Sequence, residues 1–201
     1  RENTEGLYVG IEHYIGAEKG NPGAAESMAL ITRRGSERIA RFAFEYARKQ
    51  NRKKVTVVHK ANVVRATDGL FLEEARRVAK DFPGIALDDA NIDAMCMWLL
   101  KNPFNYDVLV APNLYGDIIS DLCAQMVGGL GFGCSGNIGT KLAVFEPTHG
   151  SAPKYAGQYK VNPIATILAA RMMLEWLGEE EMGRRVEAAV AGVIAEGRVK
   201  T

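Results

Sequence analysis

Asp117 and Asp121 stand four residues apart in the run Asn113-Leu-Tyr-Gly-Asp-Ile-Ile-Ser-Asp121. A short apolar run, 107–111, precedes them, and an apolar helix-like stretch carries them toward the glycines from Gly128. On a helix, residues i and i+4 share a face. Two carboxylates there repel each other unless a cation lies between them, and Mg²⁺ or Mn²⁺ prefers such oxygen ligands. The competing account is an acidic first turn that complements the helix dipole. The pair alone leaves both open.

A second set lies in Glu146-Pro-Thr-His-Gly-Ser-Ala-Pro-Lys-Tyr-Ala-Gly157, with Asn162-Pro163 after it. Small residues let a ligand approach the backbone closely. Lys154 offers a point charge suited to a phosphate, and the Tyr155 hydroxyl can donate to one. His149 can hydrogen-bond or stack on a base. An Ω-like surface loop is the plainer alternative. The third set is Tyr8, Lys60 and Asn62. Without context, Tyr8 is ordinary amphipathic packing and Lys60 a solvated strand end.

Gly131-Phe-Gly-Cys-Ser-Gly136 matches G-x-G-x-x-G. The dinucleotide loop of that pattern needs a strand before it and a helix after it, so that the pyrophosphate meets a helix N-terminus. Here a helix precedes and a strand, 142–145, follows. The six glycines of residues 128–139 indicate a tightly turning connection, not a classical Rossmann loop.

The elements that must hold these residues alternate. Residues 7–15 are β-like, Gly20-Asn-Pro-Gly23 is a turn, and 25–34 supplies a return strand, giving a hairpin-like arm. Ser36 can cap a helix to about Gln50 with Ile39, Phe42, Ala43 and Tyr46 as its apolar stripe. Strands are expected at 54–60, 85–88 and 108–111. Helices are expected at 68–82 with Asp68 as cap, at 92–101 and at 117–127. This β-α alternation predicts an α/β domain. Two more helices, about 163–177 and 179–195, close the chain.

Composition narrows the function classes. The 201 residues suffice for one or two domains with a real core. Hydrophobic content of 47% and charged content of 24% are those of a globular protein. A net charge of +1 gives no case for nucleic acid or an acidic membrane. No segment is apolar over a membrane-spanning length, since Arg171 and Glu175 interrupt the nearest one. Cys96, Cys123 and Cys134 are odd in number and lie in or beside apolar runs, which fits a reducing compartment. A cytoplasmic location is expected, with the mitochondrial matrix left open. The start at Arg1 and the end at Thr201 look cut from a longer protein.

Read in order, Arg1-Glu-Asn-Thr-Glu-Gly6-x-Tyr8, Lys60-Ala-Asn62, Asn113-Leu-Tyr-Gly-Asp117-x-x-Ser-Asp121, Gly128-Gly-Leu-Gly131, Ser135-Gly-Asn-Ile-Gly139 and His149-Gly-Ser-Ala-Pro153 resemble one family. It is that of the β-decarboxylating dehydrogenases, which act on isocitrate, isopropylmalate, homoisocitrate or tartrate. The resemblance covers essentially the whole chain. The opening Arg1–Gly6 with Gly10-Ile-Glu-His13 is most similar to the isocitrate dehydrogenases, because isopropylmalate enzymes usually read Leu-Thr where Asn3-Thr4 stands.

The resemblance implies an isocitrate/isopropylmalate dehydrogenase-like α/β fold. It implies metal-dependent oxidative decarboxylation of isocitrate to 2-oxoglutarate with NAD or NADP. Homoisocitrate, isopropylmalate or tartrate dehydrogenase, or a non-catalytic regulatory subunit, are the alternatives. Asp117 and Asp121 would bind Mg²⁺ or Mn²⁺, with Asp93 completing the set from a partner subunit of a homodimer. Lys60, also from the partner, would help deprotonate the substrate hydroxyl. Tyr8 would protonate the enol, Arg1 pair with a substrate carboxylate, and Asn62 reach the nicotinamide side.

The loop resembles the family's adenosine-binding loop, with Glu146, His149, Gly150, Ala152, Lys154, Tyr155 and Asn162 toward the cofactor. NAD-using members commonly carry Asp-Ile where Lys154-Tyr155 stands, so NADP is expected. Residues 1–127 are expected to form a small, dimer-forming domain with the arm, and 128–201 part of the large cofactor domain. The Gly-Asp-Gly-Ile-Gly-Pro segment and further substrate arginines of the family lie outside this stretch, which is therefore not expected to turn over alone.

Overall fold

The computed structural model describes residues 1–16 and 23–198. They form two compact units that divide between Ile119 and Ser120, within one helix.

The first unit is built on three parallel strands, β3 (Lys54–His59), β4 (Ala86–Asn91) and β5 (Val108–Val110), in the order β4-β3-β5. Central β3 is buried from Val55 to His59. A parallel strand covered on both faces must be apolar nearly throughout, and Val55-Thr-Val-Val58 meets that demand. Helices α1 (Arg33–Lys49) and α2 (Thr67–Ala79) supply Ala40, Phe44, Ala47, Phe71, Ala75 and Val78 to a cluster with Val55, Val57 and Val110. Helix α3 (Ile92–Lys101) packs on β3 and β4 and buries Met95 and Leu99. The steps β3-α2-β4 and β4-α3-β5 run in opposite directions across the sheet, so right-handed connections put α2 and α3 on opposite faces. The carboxyl ends of all three strands share one edge, where open α/β sheets present their functional groups.

Before the sheet, β1 (Glu12–Ile15) and β2 (Ala24–Ser27) pair antiparallel as an arm whose eight paired residues are all exposed. Residues 20–22 of the expected turn lie outside the described residues. In the second unit, β6 (Cys134–Ile138) and β7 (Ala143–Pro147) form an antiparallel pair against α5 (Ile164–Trp176), which packs on α6 (Glu180–Glu196). The Phe145 and Trp176 rings lie 6.2 Å apart. No helix among the described residues is long and apolar enough to cross a membrane.

The α/β class is as the sequence implies, and several local expectations are corrected. Tyr8 lies in a 3₁₀ turn, Leu7–Val9, not in a strand. The return strand stops at Ser27, and α1 begins at Arg33 with Thr32, not Ser36, as its cap: Thr32 accepts from the Gly35 amide. The core stripe of α1 is Ala40, Ala43, Phe44 and Ala47, while Phe42 and Tyr46 stack on each other in a more exposed position. Asp68 does not cap α2. Residues 134–138 are a strand, not a loop. Gly136 fits there because a Cβ would stand 3.1 Å from the Phe145 ring, so only a bare backbone lets the strand lie against it.

Helix α4 (Asn113–Met126) starts four residues before the expected Asp117. Its first turn holds no acidic residue, so the dipole account of the aspartate pair fails.

Candidate active site

Arg1, Tyr8 and Asp117 form one cluster. The Tyr8 hydroxyl donates to Asp117 Oδ2 at 2.7 Å, and the Arg1 guanidinium pairs with the Asp117 carboxylate. The guanidinium also lies 5.3 Å from the Tyr8 ring centroid, and Arg1 Nε donates to Asn113 Oδ1 at 2.9 Å. The hydrogen bond to Asp117, then desolvation, raises the Tyr8 phenol above its ordinary value. Tyr8 therefore keeps its proton at neutral pH, as an acid must.

The opening segment is held by two buried carboxylates. Glu2 accepts from the Thr4 amide at 2.9 Å, the Thr4 hydroxyl at 2.6 Å, the Glu5 amide at 2.9 Å and Arg38 at 2.8 Å. Glu5 accepts from the Thr32 amide and hydroxyl at 2.9 and 2.8 Å, which ties the segment to the start of α1. Asn113 Nδ2 donates to the Glu5 carbonyl at 3.0 Å. Gly116 completes the fit: a Cβ there would meet Arg1 Cβ and Cγ at 2.7 Å, so a glycine within α4 makes room for Arg1.

Lys60 and Asp93 form a second cluster. Lys60 follows the last residue of β3, and Asp93 follows β4 in the first turn of α3. Their side chains pair, and that hydrogen bond is the main reason the Asp93 carboxyl titrates below its ordinary value. His59 is 6% exposed. Its Nδ1 accepts from the Ala61 amide at 3.0 Å, so Nε2 carries the proton toward Asp89 at 3.0 Å. Asn62 lies exposed in the turn after Lys60.

Asp121 follows Asp117 one turn along α4 and is exposed. Asp117, Asp121 and Asp93 are hard oxygen donors of the type Mg²⁺ or Mn²⁺ takes. Among the described residues no three acidic, His or Cys side chains converge on one point. The chain therefore fits a divalent cation in ligand type, and in ligand number only with a donor from outside it.

The 146–162 loop is built differently. Glu146 accepts from Asn137 at 2.8 Å within the β6–β7 pair. His149 Nδ1 lies 2.7 Å from the Gly150 carbonyl, which places a proton on that nitrogen. Ala152 holds a left-handed φ of 44°, uncommon for a residue with a Cβ and a mark of backbone constraint. Pro153–Tyr155 is a 3₁₀ turn in which Lys154 Nζ lies 4.9 Å from the Tyr155 ring centroid. Asn162 Oδ1 accepts from the Ile164 amide at 2.9 Å and so opens α5. Glu146, Gly150, Lys154 and Tyr155 are exposed, and His149, Ala152 and Asn162 half-buried.

Sequence reasoning missed Glu2, Glu5, His59, Asp68 and Tyr115 as parts of this site. Each carries a polar group whose partner is set by folding; Glu2, Glu5 and Tyr115 lay inside quoted motifs without a role of their own.

The fold and these polar clusters define an α/β protein whose acidic and basic side chains lie beyond the carboxyl ends of a parallel sheet. The family model described as isocitrate/isopropylmalate dehydrogenase matches residues 1–201, and the chain belongs to that family. It is 53% identical over 201 residues to the probable isocitrate dehydrogenase (NAD) subunit alpha, mitochondrial, of Caenorhabditis elegans, covering 100% of this chain and 55% of that protein. It is 50% identical over 198 residues to the 3-isopropylmalate dehydrogenase of Archaeoglobus fulgidus, covering 98% of this chain and 59% of that one. The crystal structure of isocitrate dehydrogenase from Methylococcus capsulatus superposes with a TM-score of 0.95 at 54% identity, covering 98% of this chain and 58% of that one. The chain thus spans somewhat over half the length of these relatives.

Proposed function

We propose that this chain carries the acid, the base and the metal carboxylates of an isocitrate dehydrogenase. The reading rests above all on two clusters, Arg1–Tyr8–Asp117 and Lys60–Asp93, each of which would supply half of a site shared between copies. When bound, the nicotinamide supplies the hydride acceptor and the divalent cation the Lewis acid. Lys60 takes the proton of the substrate hydroxyl as the C2 hydride leaves. Arg1 pairs with a substrate carboxylate. After CO₂ departs, Tyr8 returns a proton to the enolate carbon. Overall, isocitrate and oxidised nicotinamide give 2-oxoglutarate, CO₂ and reduced nicotinamide, the proton taken at Lys60 balancing the one given by Tyr8. Asp117 and Asp121 would hold the cation with Asp93 of a second copy, whose Lys60 would also serve this site.

Exposed apolar residues support pairing with another chain. On α3, Met97 and Leu100 are 55% and 67% exposed, and Ile118 on α4 is 46% exposed. The arm adds Tyr14 and Ile15. A homodimer is the proposed assembly, with residues 1 to about 127 its dimer-forming part and the remainder part of the cofactor domain. The word subunit in one relative's name makes a hetero-oligomer the rival.

The cofactor contacts are proposed at Asn62, Glu146, His149, Gly150, Ala152, Lys154, Tyr155 and Asn162. The first-named relatives favour NAD. The NADP expectation keeps only Lys154 and Tyr155, whose ammonium and phenol suit a 2′-phosphate. Names of relatives likewise favour the mitochondrion over the cytoplasm.

The Archaeoglobus relative supports a second reading, isopropylmalate dehydrogenase. One assay separates them: formation of reduced NAD and NADP by the whole protein with isocitrate, isopropylmalate and homoisocitrate. Isocitrate should give the highest kcat/KM. Turnover of isopropylmalate alone would replace the proposal with its rival, and no turnover of any would leave a regulatory subunit.

A further inference from the structure

We propose that Asp68 is the positioning residue that fixes Lys60. The inference builds on the proposed function in one respect, the proton that Lys60 takes.

The β ladder ends at His59, so Lys60 is the first residue the sheet no longer holds. Asp68 takes over. It is 4% exposed, and its Oδ2 accepts from the Lys60 amide at 2.6 Å. The rest of the Lys60 backbone is fixed as well: its carbonyl accepts from the Val63 and Val64 amides at 2.9 and 2.8 Å. On the side of β3, His59 Nδ1 holds the next amide, Ala61. The turn that aims the Lys60 side chain is therefore clamped at consecutive peptide groups.

Asp68 has a plainer account, an acidic residue in the first turn of α2 that answers the helix dipole. Its contacts argue for more. It makes no cap bond to its own helix. The hydrogen-bond donors to its carboxylate are the Lys60 amide and the Thr67 hydroxyl, both neutral. A carboxylate buried without a counter-ion is costly, so hydrogen bonds must hold it. The shorter of those bonds reaches a chemically placed segment, the end of β3 with Lys60. A 1 Å misplacement of a reacting group costs on the order of 10²-fold in rate.

The test uses the whole enzyme. Asp68→Ala should lower kcat about 10- to 100-fold while KM for substrate and cofactor moves less than about threefold. Asp68→Asn, which keeps one acceptor, should recover most of that loss. In a Lys60→Met background, Asp68→Ala should change the residual rate less than about twofold, because Asp68 acts only through Lys60. The Lys60 amide proton should move upfield in Asp68→Ala, with amides elsewhere in β3 unmoved. An unchanged kcat, or the same fold-loss in both backgrounds, overturns the inference. Should Asp68→Ala not fold, the Lys60 amide proton of Asp68→Asn decides: an unchanged resonance overturns the inference, and an upfield move supports it. If Lys60→Met keeps full turnover, the proposed function falls, while the amide resonance still decides whether Asp68 holds Lys60.

Discussion

The residues proposed for chemistry and those proposed for the cofactor are held by different means. Around Tyr8, Lys60 and Asp117, buried side chains set the backbone: Glu2 and Asp68 are 2% and 4% exposed and spend their oxygens on main-chain amides. Between His149 and Val161, the bonds are local turns and contacts a few residues apart, and most of the stretch faces solvent. The first arrangement resists displacement because moving any group strands a buried charge. The second tolerates substitution because little is buried. Proton transfer needs fixed distances, whereas preference between two nicotinamide cofactors depends on a few exposed contacts.

The largest effects should therefore come from the first region. Lys60→Met should cost about 10²- to 10⁴-fold in kcat, the range for losing a positioned acid or base. Tyr8→Phe should cost a similar factor. If one copy supplies Tyr8 and another Lys60 to the same site, mixing the two inactive variants under subunit exchange should restore about a quarter of wild-type activity, because half the dimers are hybrids and each hybrid keeps one intact site. Absence of any recovery would put both residues in the same subunit's site.

Much of this division was legible in the sequence. The spacing of Asp117 and Asp121 and the strand-end position of Lys60 are local features, readable from periodicity. The early start of α4 then removed the dipole account of the aspartates. What was not legible depends on distant partners. Glu2 and Glu5 sit in an opening motif that assigned them no role, yet they meet Arg38 and Thr32. Asp68 reads as a helix cap until the Lys60 amide is beside it. The stripe of α1 held at Ile39 and Ala43 and missed elsewhere for a related reason: two apolar faces fit its periodicity, and only packing decides that Ala40 and Phe44 are inside and Phe42 and Tyr46 outside. Strand β6 stayed hidden because glycine lowers strand propensity, while the contact that requires Gly136 comes from Phe145.

A smaller effect should follow from loosening the first region without touching its chemistry. Burial raises the Glu2 carboxyl pKa, but the bonds from Thr4, Glu5 and Arg38 outweigh burial, so its pKa lies below the ordinary value. A depressed folded pKa contributes stability that is present above the unfolded value of about 4.3 and is lost as pH falls through the folded one. Glu2→Gln should lower stability by about 1–3 kcal/mol at pH 7. It should also flatten the acid limb of urea midpoint against pH. A variant curve parallel to wild type below pH 5 would show that Glu2 is not the linked group.

The smallest effect on the fold, and the sharpest on selectivity, is expected in the second region. Lys154 Nζ lies over the Tyr155 ring, and both residues are exposed. Lys154→Asp with Tyr155→Ile should change stability by no more than about 0.5 kcal/mol, as for surface positions without buried partners. The new carboxylate would accept from a ribose hydroxyl and repel a 2′-phosphate. The ratio of kcat/KM for NAD over NADP should rise at least about tenfold, a difference of about 1.4 kcal/mol. KM for isocitrate should stay unchanged. A ratio that does not move would show that this loop carries no 2′-phosphate discrimination. A large loss of stability would show that the loop is held as tightly as the carboxylate-clamped region, and the contrast between the two would fail.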